Sequence, residues 1–284
     1  MADRQGDWID YEERMRRVLS YIHEHLEEDI DFATLADVAC LSPYHWHRVY
    51  RAIKGETLAA TVKRLRLHHA AGRLANSKMS IEEIAVRAGY GSVHAFTRAF
   101  TGAFGMPPAT FRKTGSHTQF MGNHGDTVMT EHPVEIRELK ALRLATLPYT
   151  GHYMTIGKAF DQLFGWFGSR GLLSGPVLSV GIYFDDPDSV PEDQLRSRAG
   201  VEVAPDFKVE PPIEAFVTDA GRYAVLTHKG PYSNMKSAYQ WLYGKWLPQS
   251  GREPANAPCL ERYLNMPGQV PPAELLTEIC LPLR

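Results

Sequence analysis

Residues 31–113 contain one helix-turn-helix pattern twice. Leu35-Ala36, Leu41-Ser42, Trp46, Arg48, Tyr50 and Gly55 reappear as Ile84-Ala85, Tyr90-Gly91, Phe96, Arg98, Phe100 and Gly105. The offset is 49 residues before the turn and 50 after it. A single unit of this kind is weak evidence, because many helical hairpins bury a similar pattern. Two copies with the same turn chemistry on one chain are a stronger constraint. They place two recognition helices where they can enter neighbouring major-groove segments, so an asymmetric DNA site can be read without dimerisation.

Charge follows the same division. Residues 32–115 carry 12 Lys/Arg against 4 Asp/Glu, whereas residues 116–284 carry 15 against 19, although the whole chain is only −2. A basic block beside an acidic one fits a nucleic-acid domain joined to something else. Cys40, Cys259 and Cys280 show no metal-like spacing and suit a reduced, cytoplasmic setting. No apolar run approaches about 18 residues, so neither a membrane span nor a membrane partner is expected. The paired histidines, among them His45/His47 and His68/His69, lack a further ligand at metal spacing and are expected to be solvated or phosphate-facing. No metal or cofactor is expected.

Three parts follow: a DNA-binding domain over 8–114, a Gly/Ser/Thr/Asn-rich linker over 115–127, and a second domain over 128–284. The first is expected to be all-α. A helix is predicted over 9–27, with Met15, Val18, Ile22 and Leu26 near one face. In the first unit Ser42 is a good N-cap with Pro43 at the first helical position. Trp46, Val49 and Tyr50 share the buried face, which leaves Tyr44, His47, Arg48 and Arg51 pointing elsewhere. A linking helix is read over Leu58–Leu74. The second unit opens on a capping box, Ser80-Ile81-Glu82-Glu83. Its recognition helix starts near Ser92, buries Phe96, Ala99 and Phe100, and frees Val93, His94, Thr97 and Arg98.

The run IAVRAGYGSVHAFTRAFTGAFGMPPATFRK resembles the signature of AraC/XylS-type transcriptional regulators, and LADVACLSPYHWHRVYRAIKG matches the first unit of that family. The resemblance implies double-stranded promoter DNA as partner. It implies that Tyr44, His47 and Arg48 in one unit, and Val93, His94, Thr97 and Arg98 in the other, face DNA. One departure is Thr101, where the family often has a basic residue after the aromatic.

The second domain is also a repeat. RLATLPYTGHY from Arg143 matches RYAVLTHKGPY from Arg222 at an offset of 79, and Phe160, Leu163 and Phe164 meet Tyr239, Leu242 and Tyr243. At an offset of 80, Gly181-Ile182-Tyr183 meets Glu261-Arg262-Tyr263. Val201-Glu202-Val203 is matched with Thr277-Glu278-Ile279 across a shorter loop. Each copy reads strand-helix-strand-strand, so an α+β domain with pseudo-two-fold symmetry is expected, with helices on one face of an antiparallel sheet. Period-2 alternation assigns Val180, Ile182, Phe184, Leu260 and Leu264 to the helix face. It assigns Ser179, Gly181, Tyr183, Cys259, Glu261 and Tyr263 to an open groove on the other. Glu261 then supplies a carboxylate where its mate Gly181 leaves space. Residues 116–284 hold 18 aromatics, enough to line a receptor for a cationic or polar lipophilic ligand, although most of them are equally consistent with core.

The motifs GRYAVLTHKGPY, AYQWLYGKWLPQSG, CLERYLN, ELLTEICLPL and GIYFDDP are similar to those of GyrI-like, or bacterial effector-binding, domains. The resemblance implies a drug-like or cationic aromatic effector, with its contacting acid on Glu261 and Tyr263 beside it. The candidate ligand set is Glu261, Tyr263, Tyr183, Gly181, Tyr149, Trp166 and Trp241. The leading expectation is a one-component transcription regulator and not an enzyme. Its effector would change how the domains cooperate on DNA or present a surface to RNA polymerase. Two alternatives stay open. One is a GyrI-like hydrolase of small electrophiles, using a lone Glu of raised pKa as general base. The other is a sequestering protein with a vestigial helix-turn-helix domain.

Overall fold

The computed structural model describes residues 11–114, 131–172 and 177–284, so the linker read over 115–127 lies outside the described residues. The helical elements of the first part are α1 (Tyr11–Glu24), α2 (Phe32–Val38), α3 (Trp46–Lys54), α4 (Leu58–Asn76), α5 (Ile81–Arg87), α6 (Val93–Phe104) and α7 (Pro108–Thr114). The chain divides into two compact units that cut through this region. Cys40–Lys54, which carries α3, clusters with the C-terminal sheet, whereas Glu12–Ala39 and the chain from Gly55 form the other unit.

In the helical unit, α4 is a 19-residue helix, about 28 Å long, capped by Thr57 Oγ1 accepting from the Ala60 amide. Leu67, Ala70, Ala71 and Leu74 on α4 pack with Ile84, Ala85, Phe96, Phe100 and Phe111. The capping box forms as predicted: Glu83 N donates to Ser80 Oγ (3.1 Å) and Ser80 N to a Glu83 oxygen (2.8 Å). Ser92 caps α6 with a single bond, its Oγ accepting from the Ala95 amide (3.2 Å). Arg66 of α4 donates to the carbonyls of Leu26 (2.8 Å) and Glu28 (2.7 Å), and its guanidinium lies against Gly89. A Cβ at Gly89 would fall 2.5 Å from Arg66 Nη1, and its φ of +78° is itself a glycine conformation. The backbone conformation sets the glycine of the second turn, and a side chain there would also have to move the Arg66 guanidinium.

The other unit is built on strands β1 (Val134–Leu139), β2 (Arg143–Thr150), β3 (Ser179–Tyr183), β4 (Arg196–Glu202), β5 (Glu214–Val217), β6 (Gly221–Lys229), β7 (Cys259–Tyr263) and β8 (Leu276–Pro282). They form one eight-stranded antiparallel sheet in the order β1-β6-β8-β7-β3-β4-β2-β5. That order is a palindrome when each strand is exchanged for its repeat mate, so the expected pseudo-two-fold axis runs between β3 and β7. Helix α8 (Gly157–Gly168) follows β2. Helix α9 (Met235–Trp241) follows β6 and continues as a π-helical segment over Leu242–Trp246.

Three expectations about this domain need correction. Each half has an extra leading strand, β1 or β5, which pairs with the other half and ties the repeats together. The last strands align at an offset of 80, because Ala199 faces Gly181 as Ile279 faces Glu261. Matching Glu202 to Glu278 therefore placed that strand four residues out. The face assignment is reversed as well. Phe160, Leu163 and Phe167 of α8 pack on Tyr183, Ala199, Val201 and Tyr263, so the helices cover the face that carries Gly181 and Glu261. Val180, Ile182 and Leu260 lie in a separate apolar cluster with Leu144, Tyr223, Val225 and Cys280. Leu264 is exposed rather than under a helix. Among the described residues no helix is long and apolar enough to cross a membrane.

Glu278 secures the strand exchange. It is 6% exposed and accepts from Arg137 of β1 (2.6 Å) and Arg262 of β7 (2.8 Å). Replacing Glu278 by Ala removes two charge-assisted bonds and leaves two half-buried cations without their carboxylate. It should cost about 2 kcal/mol, read as a lower urea midpoint with unchanged slope.

Candidate functional site

Glu261 lies on β7, one of the two central strands, directly opposite Gly181 of β3. The side chain is buried, at 8% exposure. Tyr239 of α9 donates to Oε1 (2.7 Å) and Tyr263 donates to Oε2 (2.8 Å). A phenol has one proton to give, so Tyr183, 2.7 Å from the Tyr263 hydroxyl, must be the donor of that pair. The result is a chain from Tyr183 to Tyr263 to Glu261, with Tyr239 closing from the helix side. Burial pushes the Glu261 carboxyl above its ordinary range, while the two phenol bonds and the charge of Arg48 pull it back down. Burial raises the phenols of Tyr183, Tyr239 and Tyr263 as well, and the neighbouring carboxylate adds to that.

Gly181 does not leave the empty space expected of it. A Cβ there would lie 2.8 Å from both the Tyr183 ring and the Tyr263 hydroxyl. The glycine makes room for the two tyrosines to meet over the sheet. Their flanks repeat the pseudo-symmetry: Tyr153 packs edge-on to Tyr183 (4.7 Å) and Tyr232 to Tyr263 (5.5 Å). The symmetry breaks where it matters chemically. The repeat mate of Tyr239 is Phe160, which has no hydroxyl and packs its ring against Tyr263 at 5.6 Å.

The rest of the expected ligand set is scattered. Tyr149 is half-buried and shares a 2.7 Å hydrogen bond with Thr155. Trp166 packs on Phe167 with Arg170 over its ring at 4.2 Å. Trp241 is half-buried on α9, and the side chains that bond Glu261 are tyrosines rather than either tryptophan. Tyr239 stands outside the ligand set expected from the sequence, although it enters the repeat as the mate of Phe160. The sequence signal was one of two Phe/Tyr mismatches at the 79-residue offset, Phe160/Tyr239 and Phe164/Tyr243, and only the fold shows that the Tyr239 hydroxyl is the one that meets the acid.

The segment Cys40–Lys54 completes this unit. The Arg48 guanidinium carbon sits 4.9 Å from the Tyr239 ring centre and 5.5 Å from that of Tyr243, two rings stacked within 9° of parallel. Arg48 donates to the Asp185 carbonyl (2.9 Å) and to the Tyr243 hydroxyl (3.4 Å). The π-helical turn carries Tyr243 into this position, a common use of that irregularity. His45 is fully buried rather than solvated. Its Nε2 lies 2.8 Å from the Ala257 carbonyl and so is the protonated nitrogen, which leaves Nδ1 to accept from Tyr243 (2.9 Å). Burial, and then the nearby Arg48 charge, lowers its pKa to about 3. Tyr44 contacts Phe184 ring to ring (6.5 Å), and Arg51 forms an ion pair with Asp188. His47 lies tilted against Trp46, with ring centres 4.1 Å apart. Arg48 and Arg51 therefore do not lie on the free face expected of them. Trp46, Val49 and Tyr50 are buried as predicted, but α3 begins at Trp46 and Ser42 caps the preceding turn.

In the second unit His94 and Arg98 are exposed on α6, Thr97 is half-buried, and Val93 packs partly against the Phe96/Phe100 core. Among the described residues no group of His, Cys, Asp and Glu is arranged to hold a metal.

Comparison with known proteins places both parts. The profile of the GyrI-like small molecule binding domain matches residues 132–284, and that of a helix-turn-helix domain matches 35–114. The DNA gyrase inhibitor of Enterobacter lignolyticus is 32% identical over 39% of this chain and 71% of its own length. The probable transcription factor PqrA of Proteus vulgaris is 36% identical over 35% of this chain and 83% of its own. The bifunctional transcriptional activator/DNA repair enzyme AdaA of Bacillus subtilis is 32% identical over 38% of this chain, which spans 48% of AdaA.

His45 gives the site a pH signature. Its folded pKa lies below the unfolded value of about 6.5, so the unfolded chain binds the extra proton between those limits. Stability contributed by neutral His45 is full at pH 7 and is lost as pH falls. Between pH 7 and pH 5 the loss should be about 2 kcal/mol. Arg48 and Tyr243 face the ring, and Glu261 shifts in the opposite sense, so the contribution is read by difference. His45→Gln should flatten the pH dependence of the unfolding midpoint over that range. An unchanged slope would mean that His45 is not the titrating group.

Proposed function

Because the chain belongs to the GyrI-like family of small molecule binding domains, joined here to an AraC-type helix-turn-helix domain, we propose that it is a transcription regulator whose C-terminal domain receives a cationic aromatic effector. The observation that carries the effector class is the buried Glu261 carboxylate between the Tyr239 and Tyr263 hydroxyls, walled by aromatic rings. A carboxylate kept from water gains most from a partner that brings a positive charge and apolar area together. Neutral molecules of the same shape gain only the area. Promoter DNA is the partner of the helical part, and its exposed His94 and Arg98 on α6 support a reading role there.

Two measurements test the two halves of this reading. Glu261→Gln keeps the volume and an acceptor for one of the two phenols but removes the charge. It should weaken a cationic aromatic ligand by about 1.5–3 kcal/mol in calorimetry while a neutral isostere is little affected. Equal losses for both, or none for either, would remove Glu261 as the charge-selecting group. For DNA, Arg98→Ala should cost about 1–3 kcal/mol at one base pair and relax specificity there. A uniform loss on all sequences would make Arg98 a phosphate contact instead.

A further inference from the structure

The effector site already holds a cation, and the cation comes from the recognition helix. Within the unit formed by Cys40–Lys54 and the C-terminal sheet, one face of α3 and of the turn before it is engaged at helical spacing. Tyr44 meets Phe184, His45 bonds Tyr243 and the Ala257 carbonyl, Arg48 enters the tyrosine cage, and Arg51 pairs with Asp188. The seat is close at the backbone as well. A Cβ on Gly244, in the π-helical turn, would fall 2.9 Å from the Ala52 side chain and 3.2 Å from its carbonyl oxygen. Arg48 is thus bound the way a small ligand is bound: a planar cation over the near-parallel Tyr239 and Tyr243 rings, hydrogen-bonded at its edge. The Tyr239 hydroxyl beneath it points at the acid, 2.7 Å away.

We propose that Arg48 is the built-in ligand of this site: its guanidinium holds the tyrosine–carboxylate cage in the absence of effector, and a planar aromatic cation such as an amidine or guanidine displaces it. This rests on the reading of Glu261 as an effector-binding carboxylate and adds the coupling that this reading lacks. Arg48 cannot fill the cage and present itself to a base pair at once, so seating of α3 and effector binding exclude each other. An effector that takes the cage releases Arg48, together with Tyr44 and Arg51, for DNA. By reciprocity, a cognate DNA site that holds α3 raises the affinity for effector by the same factor. The charge of Arg48 also reaches Glu261 and offsets part of its burial, so the resident guanidinium stabilises the ionised acid while the site waits.

The test uses the full chain and the fluorescent probe p-aminobenzamidine, whose amidinium matches the guanidinium in shape and charge. An occupied site lowers the apparent affinity by the fraction that is free, so removing the occupant must raise it. Arg48→Ala should bind the probe at least tenfold more tightly than wild type. Gly244→Leu leaves every cage side chain in place and wedges α3 away, and it should do the same. Probe binding to wild type should speed amide exchange over residues 46–54. It should also tighten binding to a DNA site selected by the wild-type chain from a random pool, and in Gly244→Leu that enhancement should disappear because α3 is already free. If both variants bind the probe no better than wild type while Glu261→Gln loses it, the effector site stands and Arg48 is not its occupant. If Glu261→Gln binds the probe as wild type does, the effector reading itself falls, and the proposal with it.

Discussion

A carboxylate buried at the centre of an eight-stranded sheet is the constraint from which the C-terminal unit is best understood. Glu261 is 8% exposed and meets two phenol protons. Hydrogen bonds of this kind stabilise the ionised form, but they do not neutralise it, and a charge in a low-dielectric setting retains a strong demand for an opposite one. The surrounding architecture serves that demand. Gly181 lets Tyr183 and Tyr263 converge beside the acid. The π-helical turn after α9 sets Tyr243 parallel to Tyr239. The chain from Pro43 to Lys54 then delivers a guanidinium to the pair.

Duplication supplied the frame, and divergence between the copies supplied the chemistry. The palindromic strand order holds the two halves in equivalent positions, with β3 and β7 at the axis. A perfectly symmetric site would hold two acids facing each other across that axis, each raising the cost of ionising the other. The Glu261/Gly181 and Tyr239/Phe160 differences leave one acid, a hydroxyl beside it, and a glycine over which two tyrosines meet. Strand exchange by β1 and β5 ties the halves together, and Glu278 fixes the β1 side of it between Arg137 and Arg262.

The same division of labour runs through the helical unit. Its elements rest on local signals, the Ser80/Glu83 box, the Thr57 and Ser92 caps and the Gly89 turn, reinforced by a small aromatic core. Local caps act within one turn of chain, and the Ser80/Glu83 box and the start of α6 at Ser92 came out where the sequence placed them. The face presented by α3 is not a local property. His45 and Arg48 look like solvated residues on a helical wheel because each is polar, yet a phenol, two carbonyls and a pair of rings are arranged to receive them.

By itself the sequence determined the two helix-turn-helix units, the buried stripe Trp46/Val49/Tyr50, the pseudo-two-fold repeat and the opposition of Glu261 to Gly181, because each is written in local periodicity or in a repeat offset. Tertiary structure decided which face of the sheet the helices cover. Alternation says which residues share a face, but β3 is buried along its whole length, so both faces read as apolar and the pattern cannot choose between them. It also decided the company of Glu261. Tyr239 lies 22 residues away in the chain and Arg48 more than 200, and only the folded path brings them around one carboxylate. The register of the last strands, at an offset of 80, is likewise beyond sequence matching, since a shared Glu is a one-residue coincidence whereas the ladder is set by the whole sheet.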